Sequence, residues 1–417
     1  MSTLAERRKA ELAAKSQLLR DELAFWQGLA GEEGVLRKHH TQLLRLRHML
    51  DAALDQLDTD GAWKFTTEQL LGLHHVWDFF RSKLALRLVE KFQPPLIAAD
   101  ELAWSCVRPL YDAAIAADTR SADDLREPPL AYFDSSGSPF AQGRRQAYRN
   151  LLPARRLSDI PAQVVNHLPV PVIGVPWHQQ AHLPETAVIA HEAAHLVDDD
   201  LDLVTALTPA LAASVSDQWL LWLPEVLADV LATLWLGPSY GQALSDLIEA
   251  SPADAPAYPP PTVRMQLVDA TIPLLGACAQ PAEGDVSTVA NIIACTPLPV
   301  IGNVRLRDIA VFTAAKQAQV RVAADQLRGS IALTSRDPRV LIAAGVVAFG
   351  EKPDEFVSGG QAALVFERIV AVRDALQRAE PGTADHAARP KDRQVGMDLI
   401  ELLGQERNDT AGSPSTT

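Results

Sequence analysis

Two stretches decide how this chain reads. The first is Thr186-Ala-Val-Ile-Ala-His191-Glu192-Ala-Ala-His195-Leu-Val-Asp198-Asp199-Asp200-Leu201. The second is Trp219-Leu-Leu-Trp-Leu-Pro-Glu225-Val-Leu-Ala-Asp229-Val-Leu-Ala-Thr-Leu-Trp-Leu236. Both predict helices. Positions four apart share a helix face, so His191 and His195 are spaced to grip one metal ion. Glu192 lies about 100° round the helix from His191, beside such an ion rather than on it. That is the place for a general base acting on a water held by the metal. A catalytic zinc site has three protein ligands and an open fourth position. Asp199 is four on from His195, but three successive turns of one straight helix do not converge on a single ion. The metzincin solution is absent, since Asp198 stands where its Gly would be and Leu201 where its third His would be. The third ligand is therefore expected from another helix. The second stretch is apolar except for Glu225 and Asp229, and two buried carboxylates are costly unless paired or bound to a metal. Glu225 is the expected ligand, and Asp229, on the same face, is expected to hold a ligand His by its outer ring nitrogen.

This pattern resembles the gluzincins, the thermolysin-like zinc peptidases, with His-Glu-x-x-His on one helix and Glu-x-x-x-Asp on the next. The matching positions are His191, Glu192, His195, Glu225 and Asp229. Glu225-Val-Leu-Ala-Asp229-Val-Leu-Ala232 also looks like the version found in the CAAX-prenyl-protease type. That type carries a later His-Pro-x-x-x-x-Arg segment, and Tyr258-Pro-Pro-Pro-Thr-Val-Arg264 is similar with Tyr for His. The transmembrane helices of that type are missing. The resemblance covers Thr186 to Met265. It implies zinc as cofactor, ligands His191, His195 and Glu225, and Glu192 as base. A Tyr hydroxyl can donate to a tetrahedral intermediate, so Tyr258 is a candidate oxyanion donor. Arg264 is expected to buttress the Glu225 helix through a salt bridge.

The 417 residues suffice for two or three domains. With 47% apolar and 22% charged residues, the composition is that of an ordinary globular protein. The net charge of −14 argues against nucleic acid as a general partner. Cys106, Cys278 and Cys295 are few and widely spaced, and read as thiols in a reducing compartment. The N-terminal stretch has no apolar core of a signal peptide, and the Glu225 stretch is broken by Pro224, Glu225 and Asp229. The expected setting is cytoplasmic, with no membrane partner.

Residues 1–120 read as a helical bundle, with a Thr3–Glu6 capping box on the first helix and a Thr66–Gln69 box on the third. The zincin-like core is expected over 121–265. Within it, Arg144, Arg145, Arg149, Arg155 and Arg156 form a basic run, Leu130 to Phe133 is a strand candidate, and Gln163 to Pro176 reads as a strand. Its prolines point to a sheet edge. His178 and His182 precede the metal helix, and the three aspartates from Asp198 to Asp200 either cap the next element or favour basic residues near the cleft. Residues 266–407 are again helical, and 408–417 form a polar, disordered tail. The expected fold is thus mainly α with a small β-sheet: helical N-terminal bundle, zincin-like catalytic core and helical C-terminal region. The expected function is a soluble zinc metallopeptidase, a regulatory protease acting on a specific protein or peptide substrate, with the outer helices free to recruit a protein partner. The alternative is a zinc-stabilised protein-interaction module or an inactive pseudoprotease.

Overall fold

The computed structural model describes residues 2–31, 34–57, 63–121, 129–142, 170–248, 258–278, 284–372 and 385–410. The chain is mainly helical, with a three-stranded mixed sheet and a two-stranded one. Contacts divide it into two units by space rather than by sequence order. The helices between Leu4 and Ala85 and the C-terminal helix Asp385–Thr410 form one unit; the elements from Gln93 to Val372 form the other. These are not the divisions expected at 120/121 and 265/266. The helix Gln93–Ala116 stands with the elements that carry His191 and Glu225, and the C-terminal helix stands with the N-terminal ones.

In the first unit, α1 (Leu4–Gly28), α2 (His40–Asp55) and α3 (Trp63–Ala85) pack with the C-terminal helix. The capping box of α1 is present: Thr3 Oγ1 accepts from the Glu6 amide at 3.2 Å, and Glu6 accepts from the Thr3 amide at 2.7 Å. The second expected box is not. Because α3 begins at Trp63, Thr66 is buried within it, and Gln69 donates instead to the Ile400 carbonyl at 3.1 Å. The C-terminal helix lies close on α2, where a Cβ at Gly396 would come within 2.0 Å of the Met49 carbonyl oxygen. That contact requires Gly. The expected tail at 408–417 is corrected in part, since residues 408–410 close this helix and the rest lies outside the described residues.

The second unit begins with α4 (Gln93–Ala116), whose Pro94 and Pro95 sit in the first turn, where a missing N–H costs nothing. Strands β1 (Leu130–Asp134), β2 (Phe140–Gln142) and β3 (Val172–Pro176) follow. The sheet order is β1-β3-β2, with β1 parallel and β2 antiparallel to β3. The edge assignment of 163–176 is thereby corrected: Val172–Pro176 is the central strand, buried along its length, and β2 forms the edge that packs on the histidine helix. Residues 163–169 and the basic run at Arg144, Arg145, Arg149, Arg155 and Arg156 lie outside the described residues. Pro176, the last residue of β3, ends the ladder, and Pro171 precedes it, so neither proline interrupts pairing. Gly174 faces Phe140, whose ring would be 2.3 Å from an added Cβ.

The metal-motif helix α5 (Ile189–Leu201) ends at Asp202, which takes a left-handed conformation at φ 58 and starts α6 (Leu203–Ala212). Two of the three aspartates resolve here in favour of structure. Asp198 Oδ1 accepts from the Val204 amide at 2.7 Å, and Asp200 Oδ2 accepts from the Tyr111 hydroxyl at 2.6 Å. Helix α7 (Asp217–Leu236) is apolar on nearly every face and buried accordingly. It is the one helix among the described residues long and apolar enough to cross a membrane, and 72% of its most apolar window is buried inside the protein. It packs on α5, on α8 (Pro238–Ile248) and on α9 (Pro261–Thr271). Cys278, beyond α9, is joined to Cys295 at the end of α10 (Asp285–Cys295) by a disulfide, and Cys106 is a buried free thiol. This corrects the reading of all three cysteines as thiols and removes the cysteine argument for a reducing compartment. Their spacing of 17 residues carried no recognisable framework.

Candidate metal centre

Helix α5 presents His191 and His195 on one face, and α7 crosses that face with Glu225 and Asp229, one turn apart. The three donor groups converge. His191 Nε2 is 3.2 Å from His195 Nε2 and 3.3 Å from Glu225 Oε2, and His195 Nε2 is 3.6 Å from Glu225 Oε1. Two ligand atoms each about 2.0–2.1 Å from a tetrahedral zinc stand about 3.3–3.4 Å apart. The observed separations bracket that spacing, so this donor set fits one small tetrahedral cation. Among the described residues it is the one group of three His, Cys, Asp or Glu side chains gathered closely enough to hold an ion.

Behind the donors, Asp229 is fully buried and saturated with hydrogen bonds. Its Oδ1 accepts from His191 Nδ1 at 2.9 Å, from Arg264 Nη2 at 2.6 Å and from the Tyr240 hydroxyl at 2.6 Å; its Oδ2 accepts from Arg264 Nε at 2.7 Å. Burial alone would favour the neutral acid, but the Arg264 guanidinium and these hydrogen bonds hold the carboxyl well below the usual carboxylate range. The guanidinium is in turn held cationic by Asp229 against the effect of burial. The bidentate Arg264–Asp229 pair is the buttress expected of Arg264, reached from the first turn of α9.

Burial disfavours a proton on His191, yet its hydrogen bonds to Asp229 and Glu225 push it up to about 9. Burial and the His191 charge hold His195 down at about 4, as a neutral imidazole. Burial opposes the Glu225 charge, but the His191 hydrogen bond and the neighbouring positive charges lower its carboxyl. A cation at the three donors would take the place of the His191 proton, as metal binding does to its ligands.

Glu192 stands beside the donors, buried, with a hydrogen bond from the backbone of Ala141 on β2. Burial pushes its carboxyl up to about 7, with the Glu225 charge adding and the His191 and Arg264 charges opposing. Tyr258 is over half exposed, and the Glu225 carboxylate, then burial and Glu192, raise its phenol. The structure therefore brings His191, Glu192, His195, Glu225, Asp229 and Tyr258 into one neighbourhood. It does not bring in His178, which is exposed, or His182, which pairs with Glu185 at 3.7 Å and packs edge-on against Phe349. Trp177 packs against Phe92 and Phe133.

Sequence reasoning missed Tyr240. Gly237, at φ 62, ends α7 and turns the chain into α8, which delivers this Tyr to Asp229 eleven residues on. A signal existed: Tyr240, Ala243, Leu244 and Ile248 form the buried stripe of α8, and a hydroxyl on such a stripe needs a partner. Which partner it finds depends on the turn. Comparison with protein-family models, curated proteins and solved structures finds no match to this chain.

Proposed function

We propose that this chain is a zinc-dependent metallopeptidase of gluzincin type acting on a protein or peptide substrate. The observation that carries the reading is the convergence of His191, His195 and Glu225 at tetrahedral spacing with the Glu192 carboxyl beside them. Zinc held by both Nε2 atoms and a Glu225 oxygen would supply Lewis-acid polarisation of a substrate carbonyl and lower the pKa of a water. Glu192, with a carboxyl near neutrality, accepts the proton of the attacking water and returns it to the leaving amine. Tyr258, whose phenol is protonated at neutral pH, is the candidate donor to the developing oxyanion. The closed side of the site is built by Asp229, Tyr240 and Arg264; His195 and Glu225, at 21% and 14% side-chain exposure, mark the side open to a substrate.

The test compares wild type with Glu192→Gln by proteome-wide mapping of new N-termini and by zinc content. Glu192→Gln should retain one zinc per chain and lose at least about 10²-fold in cleavage, the usual cost of a missing general base. Equal cleavage by both proteins would sink the reading. A zinc closed off by a fourth protein ligand, with no cleavage in either protein, would instead favour the interaction module.

A further inference from the structure

Tyr240 is fully buried at the foot of the metal centre. Its hydroxyl donates its single proton to Asp229 Oδ1 at 2.6 Å, and the same oxygen lies 3.2 Å from His191 Nδ1. The Nδ1–H of His191 therefore points between two acceptors, Asp229 Oδ1 at 2.9 Å and the Tyr240 oxygen. A proton held at Nδ1 leaves the lone pair of the neutral ring at Nε2, the atom that faces Glu225 and His195. We infer that Tyr240 is a positioning residue of this centre, whose hydroxyl locks His191 in the Nδ1–H tautomer and aims Nε2 at the metal. This inference rests on the proposed metal centre.

Arg264 and Tyr240 divide the work on Asp229. Arg264 takes both carboxylate oxygens and balances the charge. Its Nη2 lies 3.5 Å from His191 Nδ1, but a guanidinium carries only donors, so it offers nothing to the imidazole N–H. The Tyr hydroxyl is the group that donates to Asp229 and still has lone pairs facing Nδ1. It also restricts ring rotation, because turning the imidazole away gives up both acceptors at once in a site closed to water. Such outer-shell hydrogen bonds fix tautomer and ring orientation and typically change metal affinity by about 10–100-fold.

The test uses the full-length protein and Tyr240→Phe, which removes only the hydroxyl. Zinc affinity is measured by chelator competition, the Co²⁺-loaded protein by its visible absorption, and the His191 Nδ1–H by its downfield proton resonance in the zinc-loaded protein. Tyr240→Phe should bind zinc about tenfold more weakly, shift the Co²⁺ absorption and speed solvent exchange of the Nδ1 proton. A packing role alone would lower thermal stability and leave these three readouts unchanged, and that result overturns the inference. If Tyr240→Phe fails to fold, the wild-type spectrum decides: a through-space cross-peak between the His191 Nδ1 proton and the Tyr240 hydroxyl proton supports the inference, and an Nδ1 proton without it, which Asp229 alone explains, overturns it. Wild type that takes up no zinc overturns the metal centre and this inference together, whereas zinc-loaded wild type matched by Tyr240→Phe overturns this inference alone.

Discussion

Asp229 and Asp392 are both buried, and each pairs with one arginine and one histidine. Asp229 meets Arg264 at 2.6 Å and His191 at 2.9 Å. Asp392, on the C-terminal helix, meets Arg45 at 2.9 Å and His48 at 3.6 Å, both from α2. Breaking either pair would strand a buried charge, which is why each Asp has its Arg. The histidines differ. His48 stands at ion-pair rather than hydrogen-bond distance, and its cluster is not among the groups able to hold an ion. His191 is hydrogen-bonded at Nδ1 and presents Nε2 to two further donors. The same trio of residue types is a clip between two helices in one unit and the back wall of a metal centre in the other. What separates them is that His191 Nε2 faces His195 and Glu225 in a group able to hold an ion.

Glu225→Ala should break the comparison most completely, because it removes the donor that gives His191 Nε2 its company. The protein should lose most of its zinc, measured by elemental analysis after dialysis, and full occupancy would strike Glu225 from the ligand set. Asp229→Ala should act on two readouts. Zinc affinity should fall about 10–100-fold. Stability should fall by about 3–5 kcal/mol in denaturant titration, since Arg264 is left buried without its partner. Wild-type behaviour in both assays would mean that Asp229 supports neither the metal nor the fold.

How much of this was legible in sequence follows the same division. Local spacing carried the centre: His191 and His195 share a face by helical period, and two carboxylates in the apolar run of α7 announced a polar task. Arg264 was legible as a buttress through its place in the Tyr258-to-Arg264 segment. Pairings across large sequence separations were not legible. Arg45 and Asp392 are 347 positions apart, and nothing in either neighbourhood names the other. The central position of β3 depends on β2, three residues long, which carries too little period-two pattern to be read. The disulfide depends on α9 and α10 packing against each other, which neither segment announces by itself. Tyr240 depends on the turn at Gly237.

Asp392→Ala sharpens the comparison from the other side. It should cost about 3–5 kcal/mol by removing the buried carboxylate that faces Arg45, and it should leave zinc stoichiometry and affinity at wild-type values. A loss of zinc affinity in Asp392→Ala would erase the distinction between clip and centre.

The smallest effect is expected at a third aspartate that serves structure alone. Asp337 caps the helix Pro338–Glu351: its Oδ1 accepts from the Arg339 amide at 3.0 Å, and Lys316 Nζ donates to its Oδ2 at 2.6 Å. Burial raises its carboxyl, but the Arg339 and Lys316 charges and the capping bonds leave it below the usual carboxylate range. A carboxyl lowered in the folded state binds its proton more readily in the unfolded chain. Its contribution to stability is therefore complete above the unfolded value, about 3.9, and is lost as pH falls through the folded value. The side chain remains 24% exposed and Lys316 26%, so solvent screening reduces the ion-pair part. Asp337→Ala should cost about 1 kcal/mol at neutral pH, the usual value of an N-cap. The difference from wild type should shrink as pH drops below about 4, because the unfolded chain then binds a proton that the folded cap resists. Denaturant titrations at pH 7 and at pH 3 measure this directly. A deficit that grew on acidification would mean that Asp337 stabilises the helix as a neutral acid, and that the two cations beside it do not determine its charge.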